Sequence, residues 1–157
     1  MIRPTDPADT PILLALTEQT GAFRPMEIQA LREVLDDYHA QNRAAGHCSI
    51  TCERDGNIAG FAYYAPAAMT VCTWYLYWIA IKREHQAHGI GSELLRFVET
   101  DIRAKQPAAI LLIETSSMPH YDRTRHFYKK HGYEIEATLR DYYAPGDDMV
   151  VFRKVLA

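Results

Sequence analysis

The apolar positions of this chain change period along its length, and each change marks a new element. Residues 1–3 read as a short strand. Asp6 followed by Pro7 is a helix start, with an acidic N-cap and a proline where a missing N–H costs nothing. Ile12, Leu13 and Leu16 give that helix an apolar side, and Gly21 ends it. A second helix follows Pro25, with Ile28, Leu31, Leu35 and Tyr38 at helical spacing, and ends before Gly46. The period then shortens to that of strands. Residues 47–54, the turn Asp55-Gly56 and residues 57–64 predict a hairpin, and Pro66 breaks the run. Residues 71–81 predict a long central strand. Helical spacing returns with Ile90, Leu94, Leu95, Val98 and Ile102, and Pro107 closes that helix. Residues 108–114 read as a fully buried strand, and residues 120–130 as a short helix stopped by Gly132. Tyr133, Ile135, Ala137 and Leu139 alternate like a half-buried strand. Pro145-Gly146 turns the chain into a last strand over 149–155. The order β-α-α-β-β-β-α-β-α-β-β predicts one α/β domain over residues 1–157, a mixed sheet flanked by helices.

Composition narrows what such a domain does. At 157 residues the chain can bury a sizeable core. A hydrophobic fraction of 48% and a charged fraction of 24% are ordinary for a soluble globular protein. The net charge of −3 argues against the strongly basic face of a nucleic-acid binder. Met1-Ile2-Arg3-Pro4 contains no apolar signal core, and the longest apolar stretch, 71–81, is too short to span a bilayer. A cytoplasmic protein with no membrane or nucleic-acid partner is expected. The three cysteines, Cys48, Cys52 and Cys72, form neither an even framework nor a CxxC pair, so free thiols are expected. His85 and His88 share one loop, but the seven histidines form no dense ligand cluster, and no metal is expected.

The most specific chemistry lies in Gln86-Ala87-His88-Gly89-Ile90-Gly91, between a predicted strand and a predicted helix. A helix N-terminus presents unpaired N–H groups and a favourable dipole, which together cradle anions. Glycines let a ligand approach the backbone without a Cβ in the way. Three phosphate-bearing cofactors compete. A Walker-type loop needs lysine then Ser or Thr after its last glycine, whereas Ser92-Glu93 follows Gly91 here. A dinucleotide fingerprint needs a further glycine where this chain has Leu94. The third is coenzyme A, whose pyrophosphate rests on backbone amides at a helix start.

The run Ile79-Ala80-Ile81, then Gln86-Ala87-His88-Gly89-Ile90-Gly91, then Leu94-Leu95 resembles the acetyl-CoA signature of the GNAT superfamily of N-acetyltransferases. Downstream, Thr124-Arg125-His126-Phe127-Tyr128-Lys129-Lys130-His131-Gly132-Tyr133 resembles that family's second element, Ala-x-x-Phe-Tyr-x-x-x-Gly-Phe/Tyr. The element order matches too, so the resemblance spans essentially the whole chain. Two departures stand out. Tyr121 and Thr124 occupy positions where the family often has Asn and a small residue, and Ala87 stands where Gly is common.

The resemblance implies transfer of an acetyl group from acetyl-CoA to a primary amine, on a small molecule or a peptide N-terminus. The competing reading is a non-catalytic acyl-CoA-binding module on the same fold. Acetyl transfer needs a deprotonated amine, a donor to the developing oxyanion and a proton for the departing thiolate. Tyr128 matches the family tyrosine that protonates sulfur. Glu114 ends an apolar strand where a carboxylate is unexpected, and matches a family glutamate that acts as base; a solvated strand end is the alternative. His120, Asp122 and His126 are lesser candidates. The cofactor contacts implied are Ile79, Ala80 and Ile81 along the strand and Gln86, Ala87, His88, Gly89, Ile90, Gly91 and Ser92 around the turn. A strand bulge near Ala80 or Ile81 would free an N–H for the oxyanion. Arg83, Arg123, Arg125, Lys129 and Lys130 are the basic groups near the expected ribose phosphate. For the acceptor, the resemblance points to Phe23 and Arg24 and to the tyrosines and acids of loop 140–148. On the strand, Trp74, Tyr75, Tyr77 and Trp78 divide between core and groove by alternation. A homodimer is a family-level expectation.

Overall fold

A computed structural model describes all 157 residues. Its strands are β1 (Ile2–Pro4), β2 (Cys48–Arg54), β3 (Asn57–Pro66), β4 (Thr73–Ile81), β5 (Ala109–Ser116), β6 (Glu134–Ala144) and β7 (Asp147–Leu156). Its helices are α1 (Thr10–Gln19), α2 (Pro25–Asp37), α3 (Ile90–Lys105) and α4 (Asp122–Lys130). The expected order and class are those observed. The seven strands form one sheet in the order β1-β2-β3-β4-β5-β7-β6. Every pairing is antiparallel except β4–β5.

The sheet has a core on each face. On one, Leu94, Leu95, Val98 and Ile102 of α3 pack on Trp74, Leu76, Leu111, Ile113 and Phe152, and Tyr128 of α4 joins them. On the other, Leu13 and Leu16 of α1 and Leu31 and Leu35 of α2 meet Phe61, Tyr63 and Ala80. Strand β3 lies between the two cores and is buried from Ile58 to Ala65. Gly60 is required there: a Cβ would stand 2.9 Å from the Ala80 carbonyl oxygen and 2.9 Å from Ile81 Cδ1. Buried Glu99 of α3 accepts from Tyr133 Oη at 2.8 Å and Lys154 Nζ at 2.9 Å. Lys154 also donates to the His131 carbonyl at 2.9 Å, which ties the end of α4 to α3 and β7. A buried carboxylate needs this degree of pairing to be tolerated.

Two strand expectations are corrected. The central strand starts at Thr73, and Val71, at 93% exposure, lies outside it. The alternation at 133–139 does not describe a half-buried strand. β6 is exposed from Glu134 to Tyr142, including Ile135 and Leu139. It is the sheet edge, and a bulge between Ile135 and Ala137 sends these apolar positions to different faces.

Candidate active site

The two parallel strands at the centre of the sheet separate partway along. β4 pairs with β5 only from Thr73↔Ile110 to Leu76↔Ile113. β5 keeps pairing with β7 as far as Ser116↔Met149 and β4 with β3 as far as Ile81↔Gly60, so the two halves of the sheet part between β4 and β5. Beyond Leu76 and Ile113 a gap opens in the sheet. Tyr77 is a bulge: Leu76 pairs with Tyr64, Trp78 pairs with Tyr63, and Tyr77 has no partner on β3. The bulge was expected near Ala80 or Ile81, but those residues pair regularly with Phe61 and Gly60. An unpaired residue reverses the alternation of side chains. Before it, Trp74 and Leu76 enter the α3 core; after it, Ile79 and Ile81 pack there. Tyr75, Tyr77 and Trp78 therefore share the opposite face. Tyr75 and Tyr77 stack at 5.3 Å, and Phe23 meets Trp78 at 5.5 Å.

The same ladder decides which β4 amides line the gap. Lys82 N–H donates to the Ala59 carbonyl at 2.8 Å. Ladder directions alternate, so Ala80 also bonds toward β3, while the N–H groups of Ile79 and Ile81 point away from it, into the gap. Ile81 O accepts from the Gln86 side chain at 3.2 Å. Gln86 thus braces the loop, and Ala80, 5% exposed, faces the other core.

The turn after β4 is built from backbone. Ala87 and Gly89 both take left-handed conformations, with φ of 63° and 81°. The first helical bond runs from Glu93 N–H to Gly89 O, and the N–H groups of residues 87–92 donate to nothing within the protein. Glu93 is the one acid in the first turn, and Arg103 and Lys105 sit in the last, so the dipole is complemented mainly at its far end. His88 is exposed, while the Ile90 side chain is a core anchor at 3% exposure. The Ser92 hydroxyl lies 2.9 Å from His131 Nε2. Burial, with Arg96 nearby, holds that histidine below its usual pKa. Phe127 packs beside Gly91. These unclaimed donors at a 16-residue helix start suit a diphosphate.

Tyr128 and Glu114 sit on opposite faces of the sheet. Tyr128 is 2% exposed, among Phe127, Tyr133 and Phe152. Burial, then the neighbouring Tyr121, raises its pKa, so the phenol keeps its proton at neutral pH. Phe152 is paired with Ile113, which places Tyr128 over the β5–β7 junction on the α3 side. Glu114 is the next residue of β5 and points the other way. It is solvent-exposed, yet partial desolvation raises its pKa. Its charge in turn adds to burial in raising Tyr75, Tyr77 and Tyr143. Thr115, back on the Tyr128 side, is 4% exposed, and its hydroxyl has no hydrogen-bond partner. It is a polar group that sequence reading passed over, because nothing in the sequence marks a threonine as an orphan.

Several expected contacts are spent elsewhere. Arg125 donates to Ser116 O at 2.6 Å and Met118 O at 3.1 Å, and pairs with Asp122. It joins the end of β5 to α4 and is a structural residue. Arg83, Arg123, Lys129 and Lys130 form no ion pair. His120 and His126 are exposed, and His120 packs on Tyr121. In the 140–148 loop, Asp141 Oδ1 accepts from Gly146 N–H and Asp148 Oδ1 from Asp141 N–H, both at 2.8 Å. Asp147 accepts from Ser116 and pairs with Arg24 at 3.0 Å. Tyr121 Oη also donates to Ala22 O at 3.2 Å. The loop between α1 and α2 is thus tied to both α4 and the β6–β7 hairpin. A surface groove on α1 and α2, lined by Glu18, Phe23, Pro25, Ile28, Gln29 and Arg32, shares only Phe23 with this region.

Comparison with known proteins agrees with this architecture. Residues 45–135 match the family described as "Acetyltransferase (GNAT) domain". No curated protein matches the chain. A crystal structure of a protein from Desulfovibrio desulfuricans, assigned to the GNAT family of acetyltransferases, is 34% identical, with a TM-score of 0.94, over 100% of this chain and 99% of that one. An aminoglycoside 6'-N-acetyltransferase complexed with coenzyme A is 16% identical (TM-score 0.80), covering 100% of this chain and 97% of its own. The ribosomal-protein-S18-alanine N-acetyltransferase of Escherichia coli is 18% identical (TM-score 0.78), covering 100% and 94%. At such low identity these last two share the fold. The matched domain, the 34% identical relative and the divided central sheet together establish that this chain is an acyltransferase of the GNAT family.

Proposed function

We propose that this protein moves an acetyl group from acetyl-CoA to a primary amine through the gap between β4 and β5. The observation that carries this reading is the arrangement of the gap: unclaimed amides and a protonated tyrosine on one side, an unpaired carboxylate on the other. Acetyl-CoA supplies a thioester acyl group. The N–H groups of residues 87–92 hold its diphosphate, and those of Ile79 and Ile81 face the stretch that enters the gap. The Thr115 hydroxyl, buried without a partner, is a further group this stretch can satisfy.

The amine reaches the gap as an ammonium, with a pKa of roughly 10, and cannot attack in that form. Glu114 takes the proton, directly or through a water, and the freed lone pair forms the C–N bond. As the C–S bond breaks, its electrons go to sulfur, and Tyr128 Oη gives sulfur a proton. The newly bonded nitrogen loses one of its two protons to solvent and keeps the other as the amide N–H, while solvent returns a proton to Tyr128 and takes one from Glu114.

A thermal-shift series with acetyl-CoA, ATP and NAD tests the binding half of this reading. Ligand at a hundred times its dissociation constant adds about 2.7 kcal/mol to stability. Acetyl-CoA alone is expected to raise the melting temperature. Stabilisation by ATP or NAD in its place would defeat the reading.

A further inference from the structure

Resting on the acetyl-transfer reading above, we infer that His131 is a positioning residue for the diphosphate of acetyl-CoA, its Nε2 holding the Ser92 hydroxyl with the proton turned toward the ligand.

The contact joins two parts of the chain that lie 39 residues apart. Ser92 is the third residue of α3, in the turn whose N–H groups donate to nothing within the protein. A helical serine ordinarily returns its hydroxyl to a carbonyl of the preceding turn or leaves it in water. Here the hydroxyl lies 2.9 Å from His131 Nε2, and neither side chain has a second hydrogen-bond partner. Both residues are half-buried.

The imidazole is held from several directions. His131 N–H donates to Phe127 O at 3.2 Å and Tyr128 O at 3.1 Å, and the His131 carbonyl accepts from Lys154 Nζ at 2.9 Å. Its ring lies 4.6 Å from that of Phe127, which itself packs beside Gly91. The histidine is thus fixed against the first turn of α3 by the helix that carries Tyr128.

The position of one proton decides what this contact does. A hydroxyl has one proton and two lone pairs. When Nε2 carries a hydrogen, it donates to Ser92 Oγ, and the serine proton is free for an anionic oxygen. When Nε2 is bare, it takes the serine proton, and Ser92 turns only lone pairs toward the diphosphate. An arriving diphosphate therefore selects the first state, and a fully protonated ring permits no other. The charged groups facing the ring are Arg96 and Glu99 of α3, Lys130 of α4 and Lys154 of β7. Burial, then Arg96, holds the free ring neutral at neutral pH. A bound diphosphate favours its protonation, so binding takes up a proton as pH falls below neutral, and affinity rises with it.

Calorimetric titration of the full chain with 3'-dephospho-CoA tests this. The probe keeps the diphosphate and lacks the 3'-phosphate, whose own titration at about pH 6 would interfere. At pH 7.5, Ser92→Ala and His131→Phe are each expected to weaken binding about fivefold. The double variant is expected to lie within about twofold of either, because the two residues act as one unit. His131→Phe keeps a ring against Phe127 and removes both nitrogens. His131→Gln keeps an N–H donor and is expected to bind within about twofold of the parent. Between pH 7.5 and 5.5 the parent's affinity is expected to rise about threefold or more, while both His131 variants stay level. Should His131→Phe fail to fold, the loss in Ser92→Ala and the level profile of His131→Gln decide the same point. Losses that multiply in the double variant, or a pH dependence that survives without the imidazole, overturn the inference while leaving acetyl transfer intact. Failure of the parent to bind either acetyl-CoA or the probe would instead defeat the acetyl-transfer reading, and the inference with it.

Discussion

The two sides of the central gap are built from different materials. On the α3 side the contacts offered to a ligand are main-chain amides at residues 87–92, with Ile79 and Ile81 contributing from β4. On the α1–α2 side they are side chains: Glu114, a cluster of tyrosines, and the Arg24–Asp147 tie. A backbone site depends on φ and ψ and tolerates many side chains. A side-chain site changes with every substitution. The comparison teaches that one fold can keep its acyl donor fixed while its acceptor varies.

The largest effect expected is on the proton given to sulfur. Tyr128→Phe keeps the ring packing and removes only the hydroxyl, so turnover should fall by about 100-fold or more while acetyl-CoA affinity is unchanged. Steady-state kinetics beside calorimetric titration check this. A loss of affinity with normal turnover would assign Tyr128 to the backbone side of the comparison.

Next is the acceptor side. Glu114→Gln should lower the rate by about 10- to 100-fold near neutral pH, and the deficit should shrink as pH rises toward the amine's pKa. A pH–rate profile tests this, because a structural role would depress the rate equally at all pH values. Stability should move the other way. In the folded protein the carboxyl is held above its usual pKa, so it binds its proton more tightly than in the unfolded chain. Its charge therefore costs stability as pH rises through the folded value, and the glutamine variant should be no less stable than the parent at neutral pH. Thermal melts at pH 5 and 7.5 measure the sign.

The turn itself predicts smaller effects. Gly89, at φ 81°, has open space where a Cβ would stand, so Gly89→Ala should cost about 1–2 kcal/mol through conformation alone, and should weaken acetyl-CoA binding. Gly91→Ala places its Cβ 3.5 Å from the Phe127 ring, an ordinary contact, and should be tolerated. Smallest is Ala87→Gly. Ala87 already adopts φ 63°, so glycine should stabilise the protein by about 0.5–1 kcal/mol, read as a raised midpoint in urea. If the paired glycine variants behave alike, the backbone account of this side is wrong.

Much of this was legible in the sequence because it depends on local chemistry. The glycine turn carries its own explanation, since strand, Gly89 and helix start are neighbours in the chain. The core faces of α2 and α3 follow from 3.6-residue periodicity. The exposure of β6 was not legible, because its apolar positions look the same whether or not a helix covers the strand. The 140–148 loop was legible only in part, for a related reason. Its acids read either as partners for an amine or as turn chemistry, and which donors they meet was not encoded locally: Asp141 and Asp148 accept N–H groups within the hairpin, while Asp147 meets residues distant in sequence.

By itself, the sequence determined the order of elements, the anion cradle at residues 86–91 and the family resemblance, since each rests on residues near one another in the chain. Tertiary structure alone decided where β4 leaves β5 and that the bulge falls at Tyr77. It also decided that Glu114 forms no hydrogen bond or ion pair within the fold. Those outcomes depend on pairings between strands and on which charges find partners across the fold, and no local pattern encodes either.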